Sequence, residues 1–193
     1  MKGGGKMAKA QKLGGWLTRF KRCIDAEAGA AVSKKVIIKP EQFDETSNYA
    51  QRAEWISSAV QRLEKEVGKA TAIKVMQACG MKCCGPTQQK RAKQFMEESH
   101  SVEELLAKLN AAGIGGGRLK LKNNSTISGG YDWCYCGRVK HTKKPFPTDT
   151  YCHCSTGWYQ SLFEAAFGKP VEVTLKQSIL QGAESCEFEI RLG

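Results

Sequence analysis

The chain has 193 residues, 41% of them hydrophobic, and a formal net charge of +11, enough for one domain with a substantial core but a squeeze for two independent ones. Eight of those charges sit in residues 1–40, where ten Lys and Arg face only Asp25 and Glu27; this disfavours a nucleic-acid-binding core and reads as a basic, mobile arm able to make weak phosphate contacts. No apolar run approaches the roughly 18–20 residues that span a bilayer, and no signal-peptide core precedes a small-residue cleavage site, so a cytoplasmic protein without a membrane span is expected.

In chain order, Trp16, Leu17 and Phe20 recur at helical spacing among basic residues, the pattern of a short amphipathic helix within the arm. Ser47 is the expected N-cap of a helix over 48–67, in which Trp55, Ile56, Ala59, Val60, Leu63 and Val67 recur three or four apart. Gly68 divides it from a second helix over 70–79 that stops at Gly80. Pro86 fits the first turn of the next helix, and Ser101 with Glu104 forms a capping-box pattern opening a helix over 102–111.

Beyond the glycines at 113 and 115–117 the period changes from helical to alternating. Leu119 and Leu121, the turn pair Asn123-Asn124 and the return through Ile127 predict a hairpin. A strand is predicted over 131–139, a helix capped by Ser155 or Thr156 and ended by Gly168, and two closing strands over 171–175 and 186–192. Nothing in this order forces a parallel sheet, so the expected fold is α+β: a helical N-terminal half followed by an antiparallel sheet with a packed helix. The corresponding organisation is an arm over 1–40, a helical region over 41–112 and a cysteine-rich region over 113–193, with 41–193 forming one domain.

Nine cysteines in a reducing compartment point to metal binding or thiol chemistry and away from structural disulfides. Cys134 and Cys136 would share one face of a strand, and Cys152 and Cys154 repeat the spacing after a loop containing Pro145 and Pro147. The two pairs supply four sulfurs, as a tetrahedral zinc site requires; an iron–sulfur cluster is the alternative, although its familiar spacings differ. Cys79, Cys83 and Cys84 form a second cluster that could contribute ligands or, through Cys83, a nucleophile activated by Lys82 or by the start of the next helix. His153 would point away from its two cysteine neighbours on an extended segment, and Cys23 reads as incidental.

The stretch 151–192, with a cysteine five residues before Gly157-Trp158, a helix ending at Gly168 and a final Gly182-x-x-x-Cys186-x-Phe188, resembles the C-terminal half of the 4-vinyl reductase type domain. That small-molecule-binding module occurs in hydrocarbon-sensing regulators and is related to the Golgi-transport and nitric-oxide-sensing ligand-binding fold. The cysteine-rich remainder looks like a prokaryotic branch of the superfamily. The resemblance implies a zinc site at Cys152 and Cys186; two other ligand positions of the pattern fall on Leu175 and Ser178, which cannot serve, so Cys134, Cys136 and Cys154 are the candidates to rebuild it. It also implies a cavity partly lined by the apolar face of the last helix, with Trp158, Leu162 and Phe163 as candidate ligand-binding residues, although core packing gives the same spacing.

The function these readings favour is zinc-supported binding or sensing of a small apolar or aromatic molecule, in a monomer or homodimer. The alternative is a metal- or cysteine-dependent enzyme, hydrolytic or iron–sulfur redox, with Cys83 its candidate catalytic residue. No HExxH, GxSxG or phosphate-loop motif supports that alternative.

Overall fold

A computed structural model describes residues 13–43 and 48–193. Ser47 lies outside the described residues; the side chain of Asn48 accepts a hydrogen bond from the Ala50 amide at 2.8 Å at the start of the long helix.

Helices α1 (Gly15–Ala28) and α2 (Ala30–Val36) occupy the stretch read from sequence as part of a free arm. Leu17, Phe20, Cys23 and Ile24 are all buried, so the helical spacing of the apolar residues prevails and the positive charges face outward. Trp16 stacks on Phe20 at 5.0 Å and meets Phe43 at 5.1 Å. Helix α3 (Tyr49–Cys83) is two helical stretches joined at a kink, and the interruption falls at the predicted break: Gly68 takes the non-helical φ 76° and ψ 158°. Only glycine reaches that conformation at no steric cost. The second stretch continues past Gly80, which is needed for contact and not as a terminator: a Cβ there would stand 1.8 Å from the carbonyl oxygen of Cys154.

Helix α4 (Pro86–Glu97) starts at its proline, and α5 (Val102–Ala111) starts at Ser101, whose side chain accepts from the Glu104 amide at 3.2 Å. Glu104 reaches back to the amide of His100, one residue beyond the expected capping-box partner. The sheet follows: β1 (Lys120–Asn123), β2 (Thr126–Tyr131), β3 (Val171–Gln177) and β4 (Cys186–Leu192), antiparallel throughout in the order β1-β2-β4-β3. Between β2 and β3 lies α6 (His153–Phe167), preceded by a 3₁₀ turn over Thr150–Cys152 and ended by Gly168 in the left-handed region.

The fold class read from sequence is the one observed, with one strand fewer. The predicted strand over 131–139 ends at Tyr131, and the following residues form a loop of turns and bends. Beyond Tyr131, which pairs with Cys186, the neighbouring strand has no further residue to extend the ladder. The loop is instead fixed by Val139 and Phe146, both buried, and by the Phe146 amide donating to Leu180 O at 2.7 Å.

One sheet face is apolar through Ile127, Phe188 and Ile190 and packs beneath α6, while Glu189 on the other face sits between Lys122 (3.6 Å) and Lys176 (3.7 Å). Two hydrophobic cores result. One joins α1, α2 and α3 with Val139, Phe146 and Tyr151; the other joins α4, α5, the sheet and α6. They meet where α3 crosses α6, at Gly80 against Cys154 and at Gly157, whose Cβ would stand 2.0 Å from Gln77 O. Among the described residues no helix is long and apolar enough to cross a membrane.

Candidate functional site

A cavity of about 410 Å³ opens at the seam between the two cores, within the size range of small-molecule sites. Four elements bring cysteines to it: Cys83 from the end of α3, Cys134 and Cys136 from the loop after β2, Cys152 and Cys154 from the start of α6, and Cys186 from the start of β4. Aromatic and aliphatic surface completes the wall, with Tyr131 and Tyr135 on one side and Trp158, Ile114 and Leu180 on others. From α4 the half-buried Gln88 and the exposed Arg91, which marks the solvent side of the cavity, line it three residues apart and so share one helix face.

Both Cys-x-Cys pairs therefore reach one place, although by a different route from the predicted strand. Cys134 and Cys136 are on a loop; Cys136 Sγ shares a hydrogen bond of 3.2 Å with the buried Tyr151 hydroxyl, and the Cys136 carbonyl accepts from the Val139 and Lys140 amides. Cys152 donates to the Ser178 hydroxyl at 3.1 Å, and the Ile179 amide donates to Cys186 Sγ at 3.4 Å. Ser178 thus stands beside Cys152 and offers it a hydroxyl, not a thiol.

All nine cysteines are free. Burial raises the Cys134 thiol to about 11 and the Cys152 thiol to about 12, and raises Cys154 and Cys186 as well, in each case because the thiolate is removed from water. The other cavity thiols add to this: Cys136 and Cys186 disfavour a thiolate at Cys134, and Cys136, Cys152, Cys83 and Cys134 disfavour one at Cys154. At neutral pH these groups are thiols, and a thiophilic cation must displace their protons to bind. The donor chemistry suits such a cation. Among the described residues no three His, Cys, Asp or Glu side chains are already arranged as a coordination group, so metal binding would require side-chain rotation within the cavity.

The remaining candidates are divided between site and core. Trp158 lines the cavity, whereas Leu162 and Phe163 are fully buried in the second core. Phe163 belongs to a stack running from Tyr131 through Tyr159 and Phe163 to Phe167, with successive ring centroids 5.7, 6.3 and 5.9 Å apart. Cys79 does not reach the cavity: it is hydrogen-bonded to Cys23 in the first core, where that partner and burial push its thiol upward. Cys84 is buried in the second core, and burial raises its thiol to about 11. Cys23, read as incidental, is a fully buried core residue. His153 faces Asp149 at 4.0 Å; burial lowers its pKa, and its Nδ1 is buried without a hydrogen-bond partner.

Sequence reasoning did not identify Tyr131, Ile114, Leu180, Gln88 or Arg91 as site residues. Tyr131, the last residue of a hairpin strand and three before the first cysteine of the pair, carried the one usable signal. The rest are brought together only by tertiary packing.

No curated protein matches the chain by sequence. Solved structures similar to it include two with low sequence identity. One is trafficking protein particle complex subunit 3 from Naegleria fowleri covalently bound to palmitic acid, 16% identical, covering 73% of this chain and 95% of that one with a TM-score of 0.48. The other is an H-NOX protein from S. oneidensis in the Fe(II)NO ligation state, 16% identical, covering 92% of this chain and 97% of that one with a TM-score of 0.45. Residues 18–192 match the model of the family of unknown function DUF6144, nearly the whole chain, and the protein belongs to that family.

Proposed function

We propose that this protein binds a small, largely apolar molecule in the cavity between its two cores, and that the thiol end of the cavity holds zinc. The observation that carries the reading is the convergence of six cysteines from four separate elements on one cavity whose other walls are aromatic and aliphatic. Six thiols with no disulfide among them suit a thiophilic cation, and the remaining wall suits an apolar guest. The resemblance of residues 151–192 to the 4-vinyl reductase type domain agrees, since Cys152 and Cys186 of its pattern both line the cavity. Zinc at Cys134, Cys136, Cys152 and Cys154, with Cys186 as the alternative ligand, would tie the loop after β2 to α6. Its role in this reading is structural support for the ligand site.

The test is elemental analysis of untagged protein purified without oxygen, combined with thermal melts. One zinc per chain, lost in Cys134→Ser and Cys152→Ser together with a lowered Tm, is the expected result. Iron with sulfide and a visible absorption band would replace zinc with a cluster and shift the reading to redox chemistry. Protein free of metal, and taking up none when zinc is supplied, would overturn the metal half of the proposal.

A further inference from the structure

The walls of the cavity are chemically lopsided. Nearly all of the lining is thiol, aromatic, aliphatic or glycine, and a single charged side chain, Arg91, stands among the lining residues with no acid beside it. The ion pairs at this end of the molecule use other residues, Lys93 with Glu97 and Lys108 with Glu98, and Arg91 has no ionic partner among the described residues. Its guanidinium rests 5.3 Å from the ring of Phe95, one turn along the same helix, which limits its freedom without neutralising it.

Beside it, Gln88 has its Oε1 buried without a hydrogen-bond partner. A buried amide oxygen that accepts no hydrogen bond costs free energy, and a half-turn of the terminal group exchanges oxygen for an N–H donor at the same point. The guanidinium presents a planar fork of donors suited to carboxylate, sulfonate or phosphate oxygens. No acidic residue lines the cavity to compete for it.

We infer that the cavity takes an organic anion, a molecule whose acidic group is held at the mouth by Arg91 and Gln88 and whose apolar or aromatic body lies against Trp158, Tyr131 and Leu180. This rests on the cavity being a ligand site, as proposed above, and adds the class of ligand. A neutral hydrocarbon would fill the same walls, leaving the buried Gln88 amide oxygen unanswered and the exposed Arg91 guanidinium to water.

Two fluorescent compounds with the same aromatic body test it on the full chain: 1-anilinonaphthalene-8-sulfonate and the uncharged N-phenyl-1-naphthylamine. The wild type should bind the sulfonate about tenfold more tightly, the scale of one charge-assisted hydrogen bond. Arg91→Gln should abolish that preference while leaving the neutral compound's affinity unchanged. Lys90→Gln removes the same charge from the adjacent residue, which does not line the cavity, and should keep the preference. Equal affinities in the wild type, or equal losses in the two variants, would overturn the anion assignment and leave the cavity as a site for neutral molecules. If neither compound binds, or if Trp158→Ala leaves both affinities unchanged, the cavity reading fails and this inference fails with it.

Discussion

Gly157 and Gln77 touch through their backbones: the Cα of one lies so near the carbonyl of the other that a single added methyl group would stand 2.0 Å from the oxygen. This contact sets the crossing of α3 and α6, and with it the position of Cys152 and Cys154. Gly157→Ala should destabilise the fold by about 2–3 kcal/mol, at the upper end of overpacking costs, and Gly80→Ala should do the same against Cys154. Urea unfolding measures both. A loss below about 0.5 kcal/mol in either, the range of an ordinary surface substitution, would mean that the helices are not in contact there.

Trp158 and Phe163 lie on the same helix and should separate binding from stability. Phe163→Ala deletes a fully buried ring of the aromatic stack and should cost about 3–5 kcal/mol with little change in affinity for an apolar compound measured on the folded fraction. Trp158→Ala should weaken that affinity severalfold and cost less stability, because its side chain is only partly buried. The reverse pattern would relocate the ligand site.

Zinc uptake should release protons. With Cys134 at about 11 and Cys152 at about 12, and Cys154 also raised, these thiols carry their protons at neutral pH, so each one bound to the metal gives one up. Calorimetry in two buffers of different ionisation enthalpy should report about three or more protons released per zinc, one from each bound thiol, and affinity should rise with pH. A titration releasing none would place the metal elsewhere.

The same shifts govern the metal-free protein in alkali. A thiol whose folded pKa lies above its ordinary value of 9.0 binds its proton more tightly when folded. Its contribution to stability is therefore complete below pH 9 and is lost as the pH rises through 11 to 12, where Cys84, Cys134 and Cys152 ionise. The urea midpoint should be level from about pH 6 to 8 and fall between about pH 9 and 12. Cys152→Ser should make that fall shallower; an unchanged slope would show that Cys152 is not desolvated.

Thiol accessibility offers a direct check on where the cysteines lie. Alkylation followed by mass spectrometry should modify the exposed Cys83 first and the half-buried Cys134, Cys136 and Cys154 more slowly, leaving Cys23, Cys79, Cys84, Cys152 and Cys186 protected until unfolding. Tyr151→Phe removes the partner of Cys136 and should accelerate labelling at that residue specifically.

Local signals in the sequence account for much of this architecture. The 3.6-residue spacing through Trp55 to Val67, Pro86 at a helix start and Ser101 as a cap each act within a few residues, and each is where the pattern puts it; the hairpin turn falls on Asn124 and Ser125, one residue on from the expected pair. The failures lie where distant contacts decide. A Cys-x-Cys pair looks the same on a strand or on a loop, and the strand ends at Tyr131 because its neighbour begins at Cys186. The helix around Trp16 and Phe20 is legible in the spacing, but the density of Lys and Arg there made the segment read as a mobile arm, when its apolar side is covered by the long helix α3. The convergence of Cys186 and Cys83 with the two pairs, and the placement of Arg91, depend on how α3, α4, α6 and β4 pack, which spacing along the chain does not record.

The seam on which the cavity lies gives occupancy a mechanical meaning. Tyr151, Cys152 and Leu180 belong to one core, and Ile114 and Cys186 to the other. A guest touching both makes their relative sliding costlier, whereas an empty cavity leaves the two bodies joined chiefly at the crossing of α3 and α6. Filling it would thus stiffen the joint between two halves of the molecule, and a binding event inside would be readable from outside as a change in compliance.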